Sequence, residues 1–355
     1  MGLLLSGRGD GVTTAQMDQQ APDVDRDPTV AVVICTHDHR RWSLLCQGIE
    51  SVRGQHRTVH QCIVVVDHHD DLLAQVRAEF PDVLAVPNTG APGLAGARNT
   101  ALEHARAEIV AFLDDDARAE PEWLEQLVPF YGNARVVGAG GSVVPVWPAE
   151  RPRWFPAEFD WVVGCSWTGL PDHVAPVRNP IGAGMSFRRR VVELAGAFTD
   201  GIGRGSADAM GCEETELAIR LRQLDPSSVV LYVPEAVVRH YVDAGRTSWR
   251  YFVARCRAEG RSKALVSSAV GSRDALSSER EYSTRVLPRG VTRGLREARD
   301  GDLTGALRAG AIATGLAITA VGYVEGRLRS RLRSRLTARP GRVESSRPDT
   351  HVATA

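Results

Sequence analysis

Four short apolar runs, Thr29 to Cys35, Gln61 to Val66, Val83 to Val86 and Ile109 to Leu113, are rich in β-branched residues, and most break off in a polar cluster. Runs of this length, apolar at successive positions, suit strands buried on both faces of a parallel sheet. Helical spacing separates them: Leu44, Leu45, Ile49 and Val52 mark a helix over about 41–52, and a shorter one reaches about Phe80. Such alternation implies an α/β fold with a mostly parallel central sheet covered by helices. In open sheets of this kind ligands bind at the carboxyl ends of strands, so the polar clusters should converge on one rim.

The fourth run ends in Asp114, Asp115 and Asp116. Three adjacent carboxylates repel one another unless a cation or hydrogen-bond donors offset their charge. Hard oxygen ligands beside a phosphate-bearing substrate suit Mg²⁺ or Mn²⁺. The plain alternative is an acidic turn that caps a helix beginning near Pro121. Just upstream, Gly90, Gly93 and Gly96 precede or open a helix. Glycine lets backbone approach a ligand closely, and a helix N-terminus favours anions. The spacing is not G-x-G-x-x-G, and a loop that only turns the chain is the alternative.

Further on, Val136 to Val146 reads as a strand, and Trp147, Trp154, Phe155, Phe159, Trp161 and Trp167 crowd a Pro-rich region. Such rings stack on sugars or pack a loop onto the body, and packing is the reading preferred for most of them. After a small-residue strand from Ile181 to Phe187, the Gly-rich stretch 198–206 has the composition of a mobile lid. Glu213 and Glu214 then open an amphipathic helix anchored by Leu217 and Leu221, where acidic residues also simply favour the positive helix end. A last strand over Val229 to Val233 precedes His240, a structural imidazole or a metal ligand.

Forty-three basic residues balance 43 acidic ones across the 355-residue chain, which argues against a nucleic-acid partner. Six scattered cysteines with no C-x-x-C pair read as reduced thiols without structural zinc, and the N-terminus lacks a signal-peptide apolar region, so a cytoplasmic location is expected. Residues 309–324 carry no charge, and Arg327, Arg329, Arg331, Arg333 and Arg335 follow. Sixteen residues fall short of the roughly twenty needed to span a bilayer, so this part should attach peripherally to a membrane surface, basic side toward anionic headgroups. The expected organisation is a disordered lead-in over 1–28, a catalytic domain over 29–245 with halves at about 29–146 and 147–245, a helical membrane-associating region over 246–337 and a disordered tail over 338–355.

Taken in order, the motifs from about Val30 to His240 resemble those of the family 2 glycosyltransferases of GT-A fold. The resemblance implies nucleotide-sugar contacts from Thr36 and Asp67, from Arg98 and Asn99 of the Ala-Arg-Asn segment, and from Asp114 and Asp115 of the D-x-D motif. It implies a metal held by Asp116 with Asp114 and His240. The acceptor-side Glu-Asp-x-x-Leu motif aligns with Glu213, Glu214 and Leu217, which makes Glu214 the catalytic base with Glu213 beside it. Two departures stand out. Asp67, His68, His69, Asp70 and Asp71 replace the usual Asp-Asn-x-Ser-x-Asp, and Glu214 replaces an Asp with the same chemistry and a longer reach. The implied activity is inverting, metal-assisted transfer of a sugar from a nucleoside-diphosphate donor to a hydroxyl of a saccharide, lipid-linked or other acceptor, in polysaccharide or glycoconjugate synthesis. Two other classes compete: a nucleotidyl or phosphotransfer enzyme, for which no P-loop is present, and a non-catalytic membrane-attached sugar-nucleotide-binding protein.

Overall fold

In a computed structural model the four apolar runs form β1 (Val30–Thr36), β2 (Gln61–Val66), β3 (Leu84–Pro87) and β4 (Ile109–Asp114). They pair in parallel in the order β3-β2-β1-β4. The structure describes residues 27–200, 211–271 and 277–337. The expected disordered lead-in up to residue 26, the lid from residue 201 to 206 and the tail from 338 therefore lie outside the described residues.

Burial on both faces is visible residue by residue. Val30, Val32 and Ile34 enter one core with Val64, Val66, Ala111 and Leu113, whereas Ala31 and Val33 enter the opposite core with Ile63, Val65, Val110 and Phe112. Helices α1 (Trp42–Arg53), α2 (Asp70–Glu79) and α3 (Leu94–His104) make the connections, the first and third contributing Leu45 and Ile49 to one core and Ala97 and Ala101 to the other.

The chain then adds β5 (Ala117–Ala119), α4 (Trp123–Leu127), β6 (Val136–Val146), β7 (Ala175–Val177), β8 (Gly184–Arg188), α5 (Arg189–Leu194), α6 (Glu213–Leu224) and β9 (Val229–Tyr241). The full order is β3-β2-β1-β4-β8-β6-β9-β5, with β7 on β9. Six strands run one way and β5, β7 and β8 run against them, so the sheet is mostly parallel in direction but mixed in pairing. The sequence reading did not show β5 or β7, because three residues carry no period. It also ended the last strand at Val233, whereas β9 continues to Tyr241 and bends. Its pairing with β6 skips from Gly141–Val233 to Val143–Val238, and the intervening Pro234 has no N–H to give a ladder. Before the skip β9 pairs with β7, and beyond it with β5.

The remainder is helical: α7 (Trp249–Val270), α8 (Ser277–Glu281), α9 (Leu287–Arg299) and α10 (Thr304–Thr337). A Cβ on Gly260 would overlap the Thr319 carbonyl, and one on Gly322 would overlap that of Arg257, so α7 and α10 meet backbone to backbone. Phe155, Phe159, Phe252 and Ile312 share a third core, with Trp154 edge-on to Phe252 at 5.5 Å. Much of the aromatic cluster after β6 thus packs the terminal helices onto the body.

Candidate active site

Asp114 closes β4 and Ala117 opens β5, so the three aspartates form the link between two strands. Ala117 pairs with His240, and the Tyr241 N–H donates to the Asp116 carbonyl at 2.8 Å. This register delivers the buried His240 ring to Asp116, with Nε2 3.1 Å from Oδ1. The repulsion expected among the carboxylates is met by neighbours. Arg41 lies 2.6 Å from Asp115 and 3.1 Å from Asp116, Arg246 lies 3.6 Å from Asp116, and the Thr36 hydroxyl donates to Asp115 at 2.8 Å. Burial opposes the charge of Asp116, but His240, Arg41 and Arg246 together hold its carboxyl well below the usual range. Burial, with Asp116 alongside, pushes Asp115 upward against the pull of Arg41.

One ligand atom each from Asp114, Asp116 and His240 lie within 4.8 Å of one another. The Asp116–His240 separation of 3.1 Å fits neighbouring ligands, which stand about 3 Å apart when each is about 2.1 Å from an octahedral ion. Two carboxylates and an imidazole form a mixed donor set that a divalent ion such as Mn²⁺ accepts, while Mg²⁺ favours all-oxygen shells.

At the end of β2, Asp67 accepts from the Asn88 amide at 2.6 Å and from the Gly93 N–H at 2.8 Å. The first anion at the N-terminus of α3 is therefore the chain's own carboxylate. Gly93 has φ 118°, and a Cβ on Gly96 would overlap the Ala91 carbonyl oxygen. Gly96→Ala should accordingly cost about 1–3 kcal/mol, as overpacking does, and displace the loop that carries Asn88; an unchanged unfolding midpoint would contradict this packing.

Arg98, buried on α3 with its guanidinium 5.6 Å from the Phe112 ring centre and 5.4 Å from that of Phe198, donates to Glu213 at 2.8 Å and lies 3.7 Å from Asp114. One cation thus ties the aspartate cluster to the start of α6. Asn99 points elsewhere: its amide donates to the Phe198 carbonyl at 2.8 Å and accepts the Phe198 N–H at 2.9 Å. Both ends of a group expected to meet the nucleotide are committed to the backbone. Glu214 is half-buried; burial, and then the neighbouring Glu213 carboxylate, raise its pKa to about 7.

Arg98, Asp114, Glu213 and Glu214 line a cavity of about 490 Å³. Trp161, Tyr282 and, from α10, Val324 line it as well.

The sequence profile of glycosyl transferase family 2 matches residues 31–193. Glucosyl-dolichyl phosphate glucuronosyltransferase from Haloferax volcanii is 34% identical over 241 residues, covering 67% of this chain and 77% of its own length. The chain is a family 2 glycosyltransferase. Mouse polypeptide N-acetylgalactosaminyltransferase 6 is 25% identical over 239 residues, and the match covers only 37% of that protein. A solved mannosyltransferase from Pyrobaculum calidifontis, in complex with GDP-Man and Mn²⁺, superposes with a TM-score of 0.54 at 18% identity, covering 90% of this chain and 93% of that one. That likeness places the family 2 glycosyltransferase in the GT-A fold.

Three features of this glycosyltransferase escaped the sequence reading. Arg41 was visible only as part of a polar cluster after β1, and Arg246 follows β9 with no motif around it. Arg246 matters because its guanidinium lies 3.6 Å from Asp116 and its buried Nη1 has no hydrogen-bond partner among the described residues. The cavity walls from α7 to α10 carried no signal, since no local pattern brings them to Glu214.

Proposed function

We propose that this glycosyltransferase moves a sugar from a nucleoside-diphosphate donor to an acceptor hydroxyl with inversion, using Mn²⁺ or Mg²⁺, at a membrane surface. The observation that carries the reading is the position of Glu214: a carboxyl with pKa about 7, on the wall of a cavity whose other lining groups include Asp114 of the metal cluster. When bound, a divalent ion held by Asp114, Asp116 and His240 supplies positive charge against the departing diphosphate. Arg246 keeps a cation beside Asp116, and Arg41 and Thr36 keep Asp115 and the turn in place. Asp67 fixes the glycine-rich loop, Asn99 fixes Phe198, and Glu213 positions Arg98. Asp114 meets the donor beside the metal. Glu214 takes the acceptor proton as the acceptor oxygen bonds to the anomeric carbon and the bond to the diphosphate oxygen breaks, its electron pair leaving with the diphosphate. A single displacement inverts the centre.

A panel of sugar nucleotides with Mn²⁺ or Mg²⁺ tests this. Release of free nucleoside diphosphate with one donor is expected. Release of inorganic pyrophosphate or of a nucleoside monophosphate favours the phosphotransfer class, and no turnover with bound donor favours a binding protein.

The membrane reading draws on α10. Thr304–Ser330 is long and apolar enough to cross a bilayer, yet one side packs on α7. Leu307, Val321, Val324 and Leu328 stay exposed. A helix held along the body with an apolar outer side and arginines at its end suits lying in the interface. Six free thiols suit the cytoplasmic side. Flotation with anionic vesicles should fall at least about fivefold in Val321→Ser/Leu328→Ser, an estimate from about 0.8 kcal/mol per buried CH₂; equal flotation of the two proteins would remove α10 from the membrane contact. The Haloferax relative is named for a lipid-linked acceptor, which supports the same setting.

A further inference from the structure

We propose that Cys165 is a positioning residue for the metal site: its sulfur accepts the Nδ1–H of His240 and so keeps the lone pair of Nε2 facing the ion. This rests on reading Asp114, Asp116 and His240 as metal ligands.

A metal ion takes the lone pair of one imidazole nitrogen, so the single proton of the neutral ring must sit on the other. Nε2 is the nitrogen at the cluster, 3.1 Å from Asp116 Oδ1. The proton of the metal-bound ring therefore belongs on Nδ1. Ligating histidines donate that second N–H to a carboxylate, a carbonyl or water, which fixes both the tautomer and the ring's orientation. His240 is only 1% exposed, so bulk water does not serve it. Among the described residues, the group within hydrogen-bonding reach of Nδ1 is the Cys165 sulfur at 3.8 Å, itself fully buried.

A thiol suits the change that metal binding imposes. Before the ion arrives, the proton of the neutral ring is best placed on Nε2, where the Asp116 carboxylate accepts it, and Nδ1 then presents a lone pair. With the ion bound the two nitrogens exchange roles. A thiol is both a weak donor and a weak acceptor. Cys165 Sγ lies 3.8 Å from the Val163 carbonyl oxygen as well as 3.8 Å from Nδ1. Its hydrogen can thus point to Nδ1 without the ion and turn to the Val163 carbonyl with it, leaving the sulfur to accept the Nδ1–H. A carboxylate in its place would hold one tautomer and add charge beside a turn that already carries three aspartates. A methyl group would leave Nδ1 without a partner in both states, and a buried polar group without one costs free energy.

The same bend in β9 that delivers His240 also places the sulfur. Val143 stands just past the register skip between β6 and β9. Its N–H donates to the Ser166 hydroxyl at 2.8 Å, and the Ser166 N–H donates to the Val143 carbonyl at 2.8 Å. The Tyr232 hydroxyl, from β9 before the bend, donates to the Ser166 hydroxyl at 3.3 Å. On the other side Gly164 takes φ 85° and the Cys165 N–H donates to the Asp160 carbonyl at 3.0 Å. Residue 165 is therefore held from both directions, against the two strands whose register sets the ring.

The test is titration of the full chain with Mn²⁺ alone, read by electron paramagnetic resonance of the free ion, on the wild type and on Cys165→Ala, Cys165→Val and Cys165→Ser. The alanine and valine variants should bind Mn²⁺ about tenfold more weakly or worse, the scale for losing the partner of a metal-bound imidazole. Cys165→Ser keeps a donor and an acceptor on the same carbon and should lie between them and the wild type. If Cys165 only fills space the order reverses, with valine retaining the affinity that serine loses. That reversed order, or wild-type affinity in a folded Cys165→Ala, overturns the proposal. Cooperative thermal unfolding certifies each variant. Should the variants fail to fold, a measurement on the wild type decides. With ¹⁵N-labelled histidine and diamagnetic Mg²⁺, the His240 ring, identified by its absence in His240→Gln, should carry its proton on Nδ1, and a proton on Nε2 in the loaded protein overturns the proposal. Failure of the wild type to bind either ion removes the metal reading and this role with it, an outcome distinct from unchanged affinity in the Cys165 variants.

Discussion

Sugar transfer should fall about 10²–10⁴-fold in Glu214→Gln, the loss typical of removing a general base, while donor and metal binding persist. The amide keeps the side chain's shape and can still hydrogen-bond, but it cannot take the acceptor's proton. The wild-type rate should rise with pH through about 7, because burial and the Glu213 carboxylate keep Glu214 protonated below that value. Stability has the opposite sign. The folded chain holds this proton up to about 7, whereas the unfolded chain releases it near the ordinary 4.5, so between those values the folded state binds more protons and stability declines as pH rises. A site that destabilises the fold over the window in which it gains its base is one shaped for chemistry rather than for capping a helix. In the capping reading the same substitution costs roughly 0.3–1 kcal/mol and leaves the rate alone. Glu213→Gln is the comparison: it loosens Arg98 and should act through positioning, with a flatter effect on the pH profile. Glu214→Asp restores the carboxylate with a shorter reach, and partial activity is expected. Wild-type turnover in Glu214→Gln, measured with a verified acceptor, would refute the assignment.

Asp116→Asn should abolish metal-dependent donor binding and reduce turnover by at least roughly 10²–10³-fold, the scale for one lost group that stabilises developing charge. Excess chelator should bring the wild type to the same level, and full activity in chelator would end the metal assignment. Stability should suffer as well, because Asp116 is the shared anion for His240, Arg41 and Arg246. Removing one partner from such a buried set costs about 3–5 kcal/mol. Asp114→Asn separates the two effects. Asp114 is the more exposed ligand, and its ion pair with Arg98 is long at 3.7 Å, so its loss should impair metal binding with a smaller fall in the unfolding midpoint.

The alternation of residues in β1, β2 and β4 between two cores was written in the sequence: short, unbroken β-branched runs bounded by polar clusters suit strands covered on both sides. With the helices between them, that pattern determined a parallel sheet with polar strand ends on one rim, and the ordered motifs determined the family. The aspartate cluster was legible as polar residues where an apolar run stops, whereas Glu214, at the opening of an amphipathic helix, was singled out only by its match to the family's Glu-Asp-x-x-Leu motif. What joins them was decided only in three dimensions. The bend in β9 after Val233 sets the register that pairs His240 with Ala117 and so places an imidazole on Asp116. Asn99, adjacent to Arg98 in the chain, spends its amide on the Phe198 backbone, whereas Arg98 lies against the Phe198 ring and reaches on to Glu213, a division that depends on where the segment around Phe198 docks. Arg41, Arg246 and the Cys165 thiol reach the site from separate elements. Periodicity is a local quantity and tells each residue's side of its own element, whereas strand order, register and helix docking depend on partners far along the chain, and those alone fix which charges meet.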